Sequence, residues 1–199
     1  WALARTRGWE RIMRVEDLDG PRIREGAEAQ VLETLSWLGL DWDGPPRRQA
    51  EDLGPYEEAM RELARRGLVY PCTLSRREVA ASAPHEDEAE ILFGPELRPT
   101  GAGDRLDFRR EEGVHWRLLV NAGEVTVVDE VHGVRHFEPA AECGDFVVWT
   151  VRDEPAYQLA VVVDDARQQV TDVVRGDDLL PSAARQLLLY RHLGAPPPR

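Results

Sequence analysis

The sequence predicts an α/β fold, a parallel sheet flanked by helices and split by a small α+β insertion. Two short, β-branched apolar runs, Leu159–Val163 and Val170–Val174, have the character of strands buried on both faces of a parallel sheet. Each stops abruptly in charge, at Asp164-Asp165 and at Arg175-Gly176-Asp177-Asp178, the place where open α/β sheets form a ligand crevice. Between these runs and the N-terminal part, the pattern changes to short alternating segments with Gly turns, as in an antiparallel lobe. Charges behind a strand either end it into solvent or line a crevice. Their repetition at both strand ends, with a helix opening behind the second, favours the crevice.

The elements follow in order. Arg11–Val15 reads as a strand ending in Glu16-Asp17-Leu18-Asp19, with a turn at Gly20-Pro21. From Gly26 to Leu40, Val31, Leu32, Leu35 and Leu38 keep helical spacing, and Gly39 marks the stop. Asp41-Trp42-Asp43-Gly44-Pro45-Pro46 is a loop, and Tyr56, Met60, Leu63 and Ala64 stripe a second helix ended by Gly67. Both stripes read as core. Character changes at Tyr70-Pro71-Cys72; the chain from Ser75 to Arg105 is polar and rich in Pro and Gly, with an acidic cluster at Glu86–Glu90. Trp116–Val120, Glu124–Asp129 and Val134–Phe137 predict short antiparallel strands, and buried-strand character returns at Asp145–Val148. This divides the chain into 1–70, the first part of a catalytic-type domain, an inserted lobe at 71–144 of roughly seventy residues, and 145–199, the second part. The last helix can be capped by Ser182 or Asp178, has Pro181 in its first turn, and presents Leu187, Leu188, Leu189, Tyr190 and Leu193. Gly194 and Pro196-Pro197-Pro198 stop it. Asp177 and Asp178 thus fall in its opening turn, at the positive end of the dipole, near Arg175. A guanidinium there is suited to hold a carboxylate bidentately.

Composition narrows the chemistry. With 199 residues, 42% hydrophobic and 31% charged, the chain is an ordinary globular protein with room for one core and an inserted lobe. No run approaches a membrane span or a signal peptide. Cys72 and Cys143, far apart in sequence, fit a reducing compartment, and a cytoplasmic location is expected. A net charge of -12 argues against indiscriminate nucleic-acid binding. The pairs Arg47-Arg48, Arg65-Arg66, Arg76-Arg77 and Arg109-Arg110 form either a local basic track or a solvated face. All 25 basic residues are arginine. That excludes a phosphate-binding loop with its lysine, a Schiff base and a lysine general base within the chain. No G-x-G-x-x-G follows a strand, and no nucleophile elbow is present.

Six segments, in unbroken order, resemble the catalytic core of the class I glutamyl-tRNA synthetases: R-V-E-D-L-D-G-P-R (Arg14–Arg22), L-G-L-D-W-D-G (Leu38–Gly44), Y-P-C-T-L-S-R-R-E (Tyr70–Glu78), D-F-V-V-W (Asp145–Trp149), A-Y-Q-L-A-V-V-V-D-D (Ala156–Asp165) and V-V-R-G-D-D-L-L…A-R-Q-L-L-L-Y (Val173–Tyr190). Within that family, the compact insertion and the wording of the fifth segment look most like the glutamyl-Q tRNA(Asp) synthetases. The resemblance implies a class I synthetase Rossmann-like fold. It also implies a ligase that activates L-glutamate with ATP and Mg2+ and transfers it to the queuosine of tRNA(Asp), as a monomer and away from membranes. It assigns Glu16 to the substrate ammonium, Tyr157 to a hydrogen bond with glutamate, Arg175 to a substrate carboxylate, and Asp178 to the neighbourhood of ATP. Asp17, Asp19, Asp164 and Asp165 are expected to scaffold the crevice. No catalytic residue is assigned, because adenylation is in-line displacement at the α-phosphate, carried by positioning and charge stabilisation.

The chain departs from the family in two respects. The His-Ile-Gly-His-type motif, with an Arg and a Ser that complete glutamate binding, belongs ahead of residue 1, and the lysine-bearing Lys-Met-Ser-Lys-Ser-type loop belongs after Arg199. The chain therefore reads as an internal fragment, inactive by itself. The other readings are a fragment of an ordinary glutamyl-tRNA synthetase and a non-catalytic glutamate- or tRNA-binding module. The second departure concerns zinc, which the resemblance places on C-x-C, a tyrosine and a further cysteine. Here Cys72 stays, but Leu74, Phe93 and Leu97 hold the other positions. One cysteine makes no tetrahedral site, so no zinc is expected and an apolar plug takes its place. His85, the only nearby substitute ligand, reads as an exposed histidine.

Overall fold

The computed structural model describes residues 1–18, 20, 23–75, 77–79 and 92–199. It consists of two compact units, Trp1–Leu53 and Gly54–Arg199. Asp19, Pro21, His85 and the cluster Glu86–Glu90 lie outside the described residues.

In the first unit α1 (Ala2–Arg7), β1 (Arg14–Val15), α2 (Ala27–Trp37) and β2 (Arg47–Arg48) follow in order. β1 and β2 run parallel, with Arg14 opposite Arg47 and Val15 opposite Arg48. The strand expected over Arg11–Val15 is confined to its last two residues. Arg11 instead exchanges hydrogen bonds with the loop after α2: its N–H donates to the Asp43 carboxylate at 2.9 Å, and its C=O accepts from the Asp43 N–H at 2.8 Å. Arg5 adds ion pairs to Asp41 at 3.0 Å and Asp43 at 3.1 Å, fixing that loop to α1. α2 forms where its spacing predicts, between the positive-φ glycines Gly26 and Gly39. Its stripe is nevertheless not core. Val31 and Leu38 are more than half exposed, and within this unit only Gln49 is buried among the described residues.

The second unit holds α3 (Gly54–Arg65), β3 (Val69–Cys72), β4 (His115–Leu118), β5 (Val125–Asp129), β6 (Gly133–Phe137), α4 (Pro139–Glu142), β7 (Val147–Trp149), α5 (Tyr157–Gln168) and α6 (Leu180–Leu193). Tyr56, Met60, Leu63 and Ala64 of α3 are buried, as their spacing predicts. β3, β4 and β7 form one antiparallel sheet in that order, with Tyr70 opposite Arg117 and Trp116 opposite Trp149. β5 and β6 make an antiparallel hairpin, Val128 opposite Val134. The division expected at 70/71 falls inside β3, and β7 joins a sheet with β3 and β4.

The two runs that suggested buried parallel strands are corrected. Leu159–Val163 lies within α5, where all five residues are buried. A helix apolar on every side shows no polar interruption, so its one-dimensional pattern matches that of a buried strand. Val170–Val174 belongs to no named strand. Its backbone instead meets the end of the chain: Val173 N–H donates to Arg199 C=O and Arg199 N–H to Thr171 C=O, both at 2.8 Å. Among the described residues, parallel strand pairing is confined to β1 with β2, apart from one isolated bridge between Phe93 and Gly144.

α5 is the centre of the helical core. Its Asp164 accepts the Tyr56 hydroxyl of α3, 3.0 Å from each carboxylate oxygen, and its Asp165 accepts the Tyr190 hydroxyl of α6 at 3.1 Å. These aspartates were expected to scaffold a crevice behind a strand. They are buried instead within the packing of three helices, where tyrosine hydroxyls satisfy them.

Candidate functional site

Tyr157 is the first residue of α5, and 45% of it is exposed. The turn between β7 and α5 determines where it stands. Thr150 N–H donates to Glu154 C=O at 2.8 Å, and Ala156 N–H donates back to Val148 C=O at 2.9 Å. Trp149 Nε1–H donates to the Asp153 carboxylate at 2.9 Å, with Asp153 in the left-handed region at φ 60. Phe108 packs edge-on against Trp149 at 5.0 Å. The tyrosine thus follows a braced turn, with its side chain partly exposed.

Arg175 precedes a short 3-10 turn, Asp177–Leu179, that leads into α6. Neither Ser182 nor Asp178 caps the helix through its side chain: the cap position is Leu179, and no side-chain cap bond forms. Pro181 does sit in the first turn, and Gly194 ends the helix at φ 68. The half-buried Arg175 donates from Nη1 to Gln186 Oε1 at 2.7 Å. Among the described residues it makes no ion pair, although Asp177 and Asp178 are close in sequence; both are exposed. Asp178 folds its Oδ1 back over Gly176, where an added Cβ would meet it at 2.4 Å. One turn before Gln186, Ser182 accepts a hydrogen bond from Gln158 Nε2 at 3.1 Å. The residue beside Tyr157 and the residue holding Arg175 therefore meet the same face of α6.

Glu16 belongs to the first unit, immediately after β1. Its carboxylate is exposed, and its Oε1 lies 3.5 Å from Arg14 Nε. Asp17 accepts the Ala50 N–H at 2.8 Å and so ties β1's exit to the turn after β2. An exposed carboxylate at a strand exit is chemically fit to receive an ammonium. Gln158 and Gln186 are the residues that sequence reasoning missed. Their only signal was a polar side chain at an apolar-face position of a helix.

The positions that the resemblance connects with zinc are occupied by an apolar cluster. Tyr70, Cys72, Val79 and Phe93 are buried together, and Leu74, Leu97, Ala102 and Leu119 pack against them. A tetrahedral zinc needs four donors, and of these positions only Cys72 supplies one, so the residues present do not fit the ion. Polar bonds secure the plug from behind. Phe93 C=O accepts the Asp145 N–H at 2.9 Å, an approach that leaves Gly144 no room for a Cβ, which would lie 2.1 Å from that oxygen. The fully buried Asp145 takes two bonds from Arg98, at 2.7 and 2.8 Å, a third from the Tyr70 hydroxyl at 2.5 Å and a fourth from Val120 N–H at 2.7 Å. Burial and that bond push the Tyr70 hydroxyl well above the usual phenol range, and the Asp145 hydrogen bond raises Arg98. Arg117 lies over the Phe93 ring at 3.9 Å.

Comparison with solved structures defines the fold. A glutamate tRNA ligase from Elizabethkingia meningosepticum, in complex with its amino acid, superposes with a TM-score of 0.81 over 99% of this chain and 43% of that one, at 24% identity. Glutamate-tRNA synthetase from Elizabethkingia anophelis gives 0.82 over the same shares. The chain thus has the α/β fold of the matching part of those two proteins. The sequence goes further: residues 1–199 match the family described as tRNA synthetases class I (E and Q), catalytic domain, and the chain belongs to that family. Among curated relatives, it is similar to the glutamyl-Q tRNA(Asp) synthetase of Geobacter sulfurreducens, 43% identical over 98% of this chain and 60% of that protein. It is also similar to that of Dechloromonas aromatica, 44% identical over 96% of this chain and 62% of that protein. The chain spans less than two thirds of the length of these relatives.

Proposed function

We propose that the protein containing this chain activates L-glutamate with ATP and transfers it to the queuosine of tRNA(Asp). The observation that carries this reading is the continuous match of nearly the whole chain to glutamyl-Q tRNA(Asp) synthetases, at 43% identity in one case and 44% in another. In this reading Glu16 receives the glutamate ammonium, Tyr157 hydrogen-bonds the amino acid, Arg175 holds a carboxylate, and Asp178 stands beside the ATP. The half-buried guanidinium of Arg175, paired with a neutral amide, is available for that task. A glutamate carboxylate oxygen attacks the α-phosphorus as pyrophosphate leaves, and the acceptor group on queuosine then displaces AMP. The chain's part in this is to orient both reactants and to meet their charges.

ATP enters with Mg2+. The lobe at 71–144, inserted between 1–70 and 145–199, faces the acceptor. The protein works as a monomer in the cytoplasm and holds no zinc. Among the described residues no helix is long and apolar enough to cross a membrane. The test is glutamate-dependent ATP–pyrophosphate exchange by the full-length protein, followed by transfer of labelled glutamate to tRNA. Exchange that proceeds with aspartate or glutamine but not glutamate would overturn the reading.

A further inference from the structure

Gln186 has no part in the chemistry above, yet its setting is that of a functional side chain. It is only 5% exposed, its Oε1 accepts from Arg175 Nη1 at 2.7 Å, and its Nε2 is buried with no hydrogen-bond partner. An unmet buried donor is unfavourable, and leucine or methionine would fill the same helical position without that penalty. A carboxylate would hold the guanidinium more strongly than an amide, but it would also cancel the charge. A neutral acceptor fixes the direction of the guanidinium and leaves its charge intact. Among the described residues nothing else cancels it, and exposed Asp178 turns back over Gly176.

We infer that Gln186 is a positioning residue that aims Arg175 at a substrate carboxylate while leaving the guanidinium charge unpaired. The inference rests on the proposed role of Arg175. It deepens that role by making the site selective for an anionic amino acid through the neutrality of the acceptor behind it. Gln158 braces the arrangement through Ser182, one turn away on the same helix face.

The test compares Gln186→Met, Gln186→Glu and Arg175→Ala in the full-length protein, with KM for glutamate, KM for ATP and kcat read from ATP–pyrophosphate exchange. Gln186→Met keeps the volume and loses the hydrogen bond, so the glutamate KM should rise roughly tenfold. Gln186→Glu keeps the shape and the acceptor but cancels the charge, and should raise that KM at least as far. In both, the ATP KM should stay within about twofold and kcat within about threefold, a split that a merely structural role does not produce. If Gln186→Met fails to fold, Gln186→Glu, which gains an ion pair to Arg175, decides alone. A glutamate KM within twofold of wild type in Gln186→Glu, with Arg175→Ala strongly impaired, overturns the inference and leaves the proposed site standing. An unchanged KM in Arg175→Ala removes the site itself, and with it the inference.

Discussion

Arg175 carries a charge that a neutral amide orients and that no described carboxylate cancels. Truncating a buried, hydrogen-bonded charge partner costs about 2–5 kcal/mol, so Arg175→Ala should raise the glutamate KM of the full-length protein steeply while sparing the KM for ATP. A value within twofold of wild type would remove Arg175 from the site. At this scale the sequence was partly legible. Arg175 was singled out because charge follows both apolar runs and a helix opens behind the second. Since neither run is a strand, its proposed role rests on the resemblance and on its setting beside Gln186. Gln186 was not singled out, since a buried glutamine among Leu187, Leu188 and Leu189 is written like any polar-face residue. Asp164 and Asp165 were misplaced for the opposite reason: adjacent carboxylates look like a strand end, and only the positions of Tyr56 and Tyr190 show that they are acceptors inside the core.

The legible elements were those with an interrupted pattern. α3 was readable because Tyr56, Met60, Leu63 and Ala64 alternate with charge at helical spacing, and β5 because Val125 and Val127 are buried while Thr126 and Val128 are not. α5 was not, because its apolar run has no polar position to set the period. The plug is the element whose chemistry makes the sharpest prediction. A structural zinc contributes folding free energy outright, whereas Cys72, Leu74, Phe93 and Leu97 contribute burial, at roughly 25 cal/mol per Å². Elemental analysis should find well under one zinc per chain, and a chelator should leave the melting temperature unchanged. Stoichiometric zinc bound through Cys72 and His85 would contradict this. The ends of β4 and α6 predict a pH dependence. Burial holds His115 and His192 below the usual imidazole range, assisted by Arg117 at the first and by Arg66 and Arg191 at the second. Folding therefore favours their neutral forms over unfolded groups that titrate near about 6.5. That stability is fully present above the unfolded value and is lost as pH falls through the folded values. The urea midpoint should drop between about pH 7 and about pH 5.5, and drop less in a His115→Gln, His192→Gln double variant. Equal drops in both proteins would show that other groups cause it.

At the scale of the molecule, the family and the antiparallel strands at 115–118, 125–129 and 133–137 were legible, while the two apolar runs at 159–163 and 170–174 were misread as strands. The ordered segments from Arg14–Arg22 to Val173–Tyr190 outweigh two misread strands, because each segment constrains the next in position as well as in content. With a net charge of -12 and arginine in place of every lysine, an electrostatic contact with nucleic acid from this chain is local and draws on guanidinium groups rather than ammonium groups. The acceptor distinguishes the proposed activity from that of an ordinary glutamyl-tRNA synthetase. Full-length protein should be given ATP, Mg2+ and labelled glutamate, with queuosine-bearing tRNA(Asp), tRNA(Asp) lacking queuosine, and tRNA(Glu) in separate reactions. Label on queuosine-bearing tRNA(Asp) alone is the predicted result; label on tRNA(Glu) at a comparable rate would contradict it.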